Sequence, residues 1–227
     1  MEFSSGSENL SVMKDAPRYL NYIATLVNKH LPKEGVIIDF GAGNGLQSSF
    51  VRKPNDKYVC VENNPQMQDE LRARGYTTRD TLKSFEADSV AAVVSINCLE
   101  HIKGDQGVIR EIHDLLEKNG KVIIYVPALP FLYSDMDRKV GHYRRYTKKT
   151  LSALFQDSEF EINALFSVDL LGIFATILYK YLPTRNSSTE SQGLKFYDRF
   201  LVPATIFFDR ILGYRFGKNL LIVATKR

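Results

Sequence analysis

The sequence predicts a doubly wound α/β domain, a seven-stranded and mostly parallel sheet with helices on both faces. Three observations carry this. Short apolar runs alternate with amphipathic stretches, the pattern of strands joined by right-handed crossover helices. The first run closes on a glycine-rich turn, Gly41-Ala42-Gly43-Asn44-Gly45. The last run, Leu220 to Thr225, is parted from the one before it by a long apolar stretch, which predicts a helical insertion before the final strand. The 227 residues suffice for one large domain. Thirty Lys and Arg against 26 Asp and Glu leave a net charge of +4, too small an excess to mark a nucleic-acid binder. Two cysteines, Cys60 and Cys98, sit in apolar runs and read as reduced and packed, which excludes a disulfide scaffold.

Taken in order, residues 1–11 are polar and lack the basic start and apolar core of a signal peptide. Residues 12–30 place Tyr19, Leu20, Ile23, Leu26 and Val27 at helical spacing, with Asp15 and Pro17 suited to a helix start. Val36 to Phe40 is a short apolar run closed by glycines and reads as a strand covered on both faces. Leu46 to Val51 is expected to begin a short helix. Lys57–Val61, Gly75–Thr78 and Val90–Ile96 read as strands, with a helix over Pro65–Arg74. Gly107–Leu116 is amphipathic, and Asn119-Gly120 is expected to stop that helix. Lys121–Val126 is a strand closed by Pro127, and Phe160–Phe166 is another.

The glycine turn is the sharpest functional signal. Glycine permits positive φ and lets backbone approach a ligand closely. Its spacing is G-x-G-x-G, not the dinucleotide pattern G-x-G-x-x-G. Asp39 precedes it and suits a cationic group or the loop's own backbone. Glu62 ends the second strand, where doubly wound sheets place an acid on two ribose hydroxyls. Together they fit a nucleoside with a positive or amphoteric tail. A nicotinamide-dependent reductase is disfavoured by the glycine spacing and by the lack of a Tyr-x-x-x-Lys pair behind the fourth strand. No CxxC or HExxH spacing occurs, so no metal ligand set is read from the sequence. Glu100-His101 follows the fourth strand, and either residue could accept a proton.

Five pieces in order, VIIDFGAGNG (36–45), VCVENNP (59–65), Asp80 in TRDTL, SINCLEHI (95–102) and LLEKNGKVIIYVP (115–127), make the chain resemble the Rossmann-like class I methyltransferases. The likeness is greatest to the group with Leu-Glu-His after the fourth strand. The resemblance implies S-adenosyl-L-methionine as cofactor and methyl transfer to an acceptor oxygen or nitrogen. It implies that Gly41, Gly43 and Gly45 line the donor loop and that Asp39 orients or contacts the methionine ammonium. Glu62 would bind the ribose, Asn63 and Asp80 the adenine side, and Asn97 would lie near the sulfonium. A scaffold that binds the cofactor without turnover is the rival from another class.

Pro127 to Tyr146 follows the fifth strand and should overhang the methyl donor. Loops on a rigid scaffold are where binding residues gather. His142 is the first candidate base, with Tyr143 and His101 as further catalytic candidates. Tyr133, Arg144 and Arg145 are candidate substrate contacts, the arginines suiting an anionic group. The other reading makes this an ordered lid whose arginines pair with Asp135 and Asp137. Arg138 to Lys149 holds six Lys or Arg, but RNA binding is disfavoured. Residues 162–182 and 196–212 are apolar stretches flanked by Lys180, Arg185, Lys195, Arg199, Arg210 and Arg215. They read as a helical roof over the substrate, as a peripheral membrane contact through 162–212, or as a dimer interface. The expected organisation is one domain over 1–227: an N-terminal helix (12–30), a cofactor-binding core (31–166), the insertion (167–217) and the last strand (218–227). The acceptor is expected to be a small molecule, glycan or lipid-linked among the options, and the compartment cytoplasmic.

Overall fold

The computed structural model describes residues 13–51, 57–156, 159–181 and 187–227. The polar start at 1–11 and Arg185 lie outside the described residues. Seven strands form one sheet: β1 (Ile37–Phe40), β2 (Tyr58–Val61), β3 (Thr77–Arg79), β4 (Val90–Ile96), β5 (Leu116–Pro127), β6 (Phe160–Val168) and β7 (Asn219–Lys226). Their order is β3-β2-β1-β4-β5-β7-β6. β1 to β5 pair in parallel, while β7 runs antiparallel to both β5 and β6. The order reverses between β1 and β4, and a ligand crevice is expected above that point at the carboxyl ends of the strands.

The strands are buried on both faces because successive side chains alternate. Ile37, Cys60, Ala92, Val94, Ile123, Tyr125, Leu221 and Val223 face one way, against Tyr22, Ile23, Leu26 and Val27 of helix α1 (Pro17–Asn28). Ile38, Val61, Val93, Val122, Ile124 and Ile222 face the other, against Ile109 and Ile112 of helix α3 (Asp105–Leu115). Each such fully buried aliphatic side chain contributes about 1.5–3 kcal/mol. Helix α2 (Pro65–Ala73) starts on Asn64, whose side chain accepts from the N–H groups of Gln66 and Met67.

Three expectations need correction. Leu46 to Val51 forms successive turns rather than a helix, with Ser49 N bonded to Gly45 O and Val51 N to Ser48 O. The side chain of Ser48 is drawn inward to Asp39 there, so the segment follows the strand end instead of a helix axis. Asn119-Gly120 does not end a helix. α3 stops at Leu115, and Asn119 (φ 65) lies in a bulge of β5 between the pairs Val90 with Leu116 and Ala92 with Lys121. The polar stretch Pro183 to Gln192, which reads as a loop in the sequence, is helical from Ser187.

The insertion comprises α6 (Leu170–Tyr181), α7 (Ser187–Phe196), a π-helical turn (Tyr197–Leu201) and α8 (Val202–Ile211). Before it come two short helices after β5, α4 (Asp135–Val140) and α5 (Lys148–Ala153). Buried carboxylates fasten the insertion. Asp209 accepts from Tyr22 Oη at 2.7 Å, Asp169 N at 2.8 Å and Leu170 N at 3.1 Å, joining α8 to α1 and to the start of α6. Asp169 (φ 72) in turn accepts from the Tyr197 hydroxyl and from Gly172 N. Asp209→Ala leaves three donors unpartnered in the interior and is expected to lower unfolding free energy by about 2–4 kcal/mol. The same change at exposed Asp114 should stay within about 0.5 kcal/mol. Urea denaturation of both variants is the check, and equal losses would count against the fastening role.

Candidate active site

One side of the crevice is made of backbone. After β1 the chain turns through Gly41 (φ 75), Gly43 (φ 55) and Gly45 (φ 79), all in the left-handed region. A Cβ on Gly41 would stand 2.2 Å from Cys98 Sγ, so only glycine lets the β1 loop meet the β4 loop. Asp39 is buried and takes the Ser48 hydroxyl at 2.5 Å and the Tyr58 hydroxyl at 2.8 Å on one oxygen. Burial raises its pKa and the two hydroxyls oppose that. It thus ties the glycine loop to β1 and β2.

Glu62 has one carboxylate oxygen on Gly43 N at 2.9 Å and the other on Asn64 N at 3.0 Å. The acid at the end of β2 therefore braces the glycine loop and keeps capacity on both oxygens for further donors. Asn97 ends β4 with φ 51, its backbone N–H bonded to Tyr125 O and its side chain exposed. Asn63 and Asp80 are exposed beyond β2 and β3. Asp39, Glu62, Asn97 and the three glycines thus cluster at the strand ends.

The other side is made of side chains from two loops. The turn after β4 carries Glu100 and His101, and the loop after α4 carries His142. Glu100 is 0% exposed, and neither carboxylate oxygen has a hydrogen-bond partner among the described residues. Burial pushes its pKa up to about 8, opposed more weakly by the nearby N–H of its own backbone and then by Arg145. His142 Nε2 stands 3.7 Å from Glu100 Oε1, and Nδ1 lies 2.8 Å from Asp137 Oδ1. The rings of His101 and His142 meet edge to face at 4.6 Å. Partial burial and the neighbouring His142 lower the pKa of His101 to about 4. Two further bonds set the backbone: Tyr133 Oη donates to His142 O at 2.7 Å, and Tyr143 N to Glu100 O at 2.8 Å.

The arginines are engaged elsewhere. Arg145 forms a two-pronged pair with Asp137, Nε to Oδ1 at 2.9 Å and Nη2 to Oδ2 at 3.1 Å. Arg144 pairs with buried Asp105 at 2.6 Å, and Arg138 pairs with Asp135. Of the two sequence readings of Arg144 and Arg145, anion contacts or pairing within an ordered lid, the fold shows pairing: both arginines hold the loop to the protein. Tyr133 likewise spends its hydroxyl on the loop backbone, whereas Tyr143 is 58% exposed and its ring is open to a ligand. The pairing of an arginine with Asp137 is the ordered-lid reading of the sequence, whereas Asp105 was not legible as a site residue, because its partner Arg144 lies on another element. The unsatisfied state of Glu100 also has no sequence signal.

A model of the methyltransferase-domain family matches residues 13–165. A search of curated protein sequences finds no match. Among solved structures, a chain of the complex between the Haloferax volcanii Trm112 methyltransferase activator and a methyltransferase superposes with TM-score 0.65 at 14% identity, covering 98% of this chain and 95% of that one. A SAM-dependent methyltransferase of Thermotoga maritima gives 0.63 at 17%, covering 97% and 95%. The geranyl diphosphate C-methyltransferase of Streptomyces coelicolor, in complex with Mg2+, geranyl diphosphate and S-adenosyl-L-homocysteine, gives 0.61 at 13%, covering 92% and 79%.

Asp137 makes a pH prediction. Burial opposes its charge, but His142, Arg145 and the Ser134 N–H outweigh that and hold its pKa near 2, below the ordinary 3.8. A carboxylate whose pKa falls on folding stabilises above its unfolded value and loses that contribution as pH drops through the folded one. The stability difference between the parent and Asp137→Asn is expected to be constant from pH 7 to about 4 and to vanish by about 2. Chemical denaturation along a pH series reads it, and a difference that grew on acidification would contradict the latch.

Proposed function

The chain belongs to the methyltransferase-domain family and is an S-adenosylmethionine-dependent methyltransferase of the class I fold, and we propose that it methylates an oxygen or nitrogen of a small-molecule acceptor held at the Glu100–His101–His142 cluster. The observation that carries this is the pairing of His142 Nδ1 with Asp137 at 2.8 Å on the rim of the crevice. A carboxylate only accepts, so Nδ1 bears the hydrogen and Nε2 keeps its lone pair. An oxygen or nitrogen acceptor must shed a proton as it attacks, and a basic imidazole nitrogen at that place removes it.

The donor side fits the adenosyl group. Glu62 is preset by Gly43 N and Asn64 N, leaving each oxygen able to accept from a ribose hydroxyl. The cradle at Gly41 has no room for a side chain. Bound S-adenosylmethionine supplies a methyl group on a sulfonium, so the protein need not create an electrophile. What the chain supplies is alignment and proton removal. Asp39 and Glu62 fix the glycine loop, Asp137 fixes the imidazole tautomer, and the Tyr143 N–H on Glu100 O locks the two loops together.

A second observation bears on where the acceptor comes from. The insertion leaves Phe174 and Leu178 of α6 exposed one helical turn apart, and Phe207 and Ile211 of α8 likewise. Lys195, Arg199, Arg210 and Arg215 are exposed near them in the chain. No helix among the described residues is long and apolar enough to cross a membrane. Apolar side chains rimmed by cations suit an anionic lipid surface. This supports peripheral membrane contact at the cytoplasmic face and a lipid-linked acceptor.

Glu62→Ala is expected to weaken S-adenosylmethionine binding by about 2–3 kcal/mol in calorimetry. His142→Ala should leave that affinity intact and slow turnover about 100-fold or more on an acceptor found by S-adenosylhomocysteine release. Unchanged turnover would remove His142 from the reaction. In flotation, the protein should associate with vesicles containing phosphatidylglycerol and not with phosphatidylcholine alone, and Phe207→Ser with Ile211→Ser should abolish it. Absence of binding, with a mass that doubles with concentration, would assign the face to self-association instead.

A further inference from the structure

We infer that Glu100, His101 and His142 form a binding site for one divalent transition-metal ion. One ligand atom from each residue can be chosen so that all three lie within 4.8 Å of one another. They come from two loops that are locked together by the Tyr143 N–H on Glu100 O, so their convergence is built rather than accidental to a mobile surface.

The buried carboxylate is the strongest sign of a ligand. Native proteins satisfy nearly all buried polar atoms, and an exception calls for an explanation. Glu100 is fully buried and neither oxygen is hydrogen-bonded among the described residues, the His142 Nε2 standing off at 3.7 Å. Arg145 instead gives its Nε and Nη2 to Asp137. An oxygen directed at two imidazoles and left without a donor is what a cation requires.

The surroundings of His142 match the outer shell of a metal site. A ligating histidine commonly donates its other ring N–H to a carboxylate, which fixes tautomer and orientation. Asp137 does this at 2.8 Å, and Arg145 neutralises Asp137, its Nε sharing Oδ1 with His142. The backbone of His142 is held in addition by the Tyr133 hydroxyl. The donor set, two imidazoles and one carboxylate, suits Zn2+, Co2+, Fe2+ or Mn2+ and does not suit Ca2+ or Mg2+, which prefer oxygen alone. Three protein ligands leave coordination positions open, the arrangement of a site that takes a further ligand.

The site stands on these side chains alone, and only its use rests on the methyl-transfer reading. An ion there takes over from His142 the task of acidifying an acceptor hydroxyl, by Lewis-acid polarisation. The hydroxyl proton leaves to solvent, the acceptor oxygen forms its bond to the methyl carbon, and the carbon–sulfur bond breaks with its electron pair kept by sulfur.

The test is titration of chelator-treated full-length protein with Zn2+, Co2+ and Mg2+, by calorimetry and by the visible spectrum of Co2+. One equivalent of Zn2+ or Co2+ is expected to bind at micromolar affinity or tighter, with little response to Mg2+. His142→Ala and Glu100→Gln should each weaken it at least 100-fold. Asp137→Asn should weaken it about 10–100-fold, and His30→Gln, outside the cluster, should not change it. S-adenosylmethionine affinity, measured on every sample, reports that the variants are folded. No stoichiometric binding, or binding unaltered in His142→Ala, overturns the inference and leaves methyl transfer standing with His142 as base. Metal binding without S-adenosylmethionine binding would overturn the functional reading and keep the site.

Discussion

The buried carboxylate of Asp137 is the constraint on which the acceptor side depends. It is 1% exposed and takes His142 Nδ1, two nitrogens of Arg145 and the Ser134 N–H. Removing a carboxylate from water costs several kcal/mol, so it is tolerated only where paired charge and hydrogen bonds are well formed. Once formed, the arrangement leaves few alternatives. Ser134 begins α4 on it, Gly141 ends α4 in the left-handed region, and His142 follows with its ring already aimed inward. Arg145 then brings the chain to the Ala128 carbonyl, and Tyr146 turns into the core to reach Asp105.

The seating of the insertion depends on a second set of buried polar groups. β7 lies between β5 and β6 and runs against both, so its first residues arrive at the carboxyl end of β5. Asn219 there donates to the Tyr19 hydroxyl, which meets the Tyr125 hydroxyl at 3.1 Å. Lys218 stands 3.4 Å from Asp169 and over the rings of Tyr19 and Tyr197. An all-apolar contact would bury the insertion equally well but would not select one seating of it. Paired donors and acceptors drawn from α1, β5, the π-helical turn and β7 do select one.

Much of the scaffold was legible because its signals are local. An apolar run such as Val90 to Ile96 has few outcomes other than a covered strand, and glycines at 41, 43 and 45 announce a turn. The misreadings were of residues whose state is decided at a distance. Arg144 and Arg145 read either as anion ligands or as partners of Asp135 and Asp137, and the folded chain gives Arg145 to Asp137 and Arg144 to Asp105, 39 residues away. Leu46 to Val51 has helical propensity, but Asp39 pulls Ser48 inward and turns win. Glu100 could be singled out beside His101. Its want of a partner could not, since that is a property of the folded interior.

The two walls differ in kind, and that difference bears on chemistry. The donor wall is chiefly backbone, preset by Glu62 and Asp39 and closed to side chains at Gly41, which suits an invariant cofactor. The acceptor wall is made of side chains on the loops after β4 and β5, with exposed Tyr143 at its rim. A methyl group moves only when nucleophile, carbon and sulfur are in line, so the loops must be rigid where they touch the reacting atoms and free to vary outside them. The bonding follows that division. Glu100, His142 and Asp137 are pinned by backbone and carboxylate contacts, while Tyr143 keeps its ring exposed. On the proposed reading, acceptor choice falls to Tyr143 and the insertion, and reactivity to the pinned cluster.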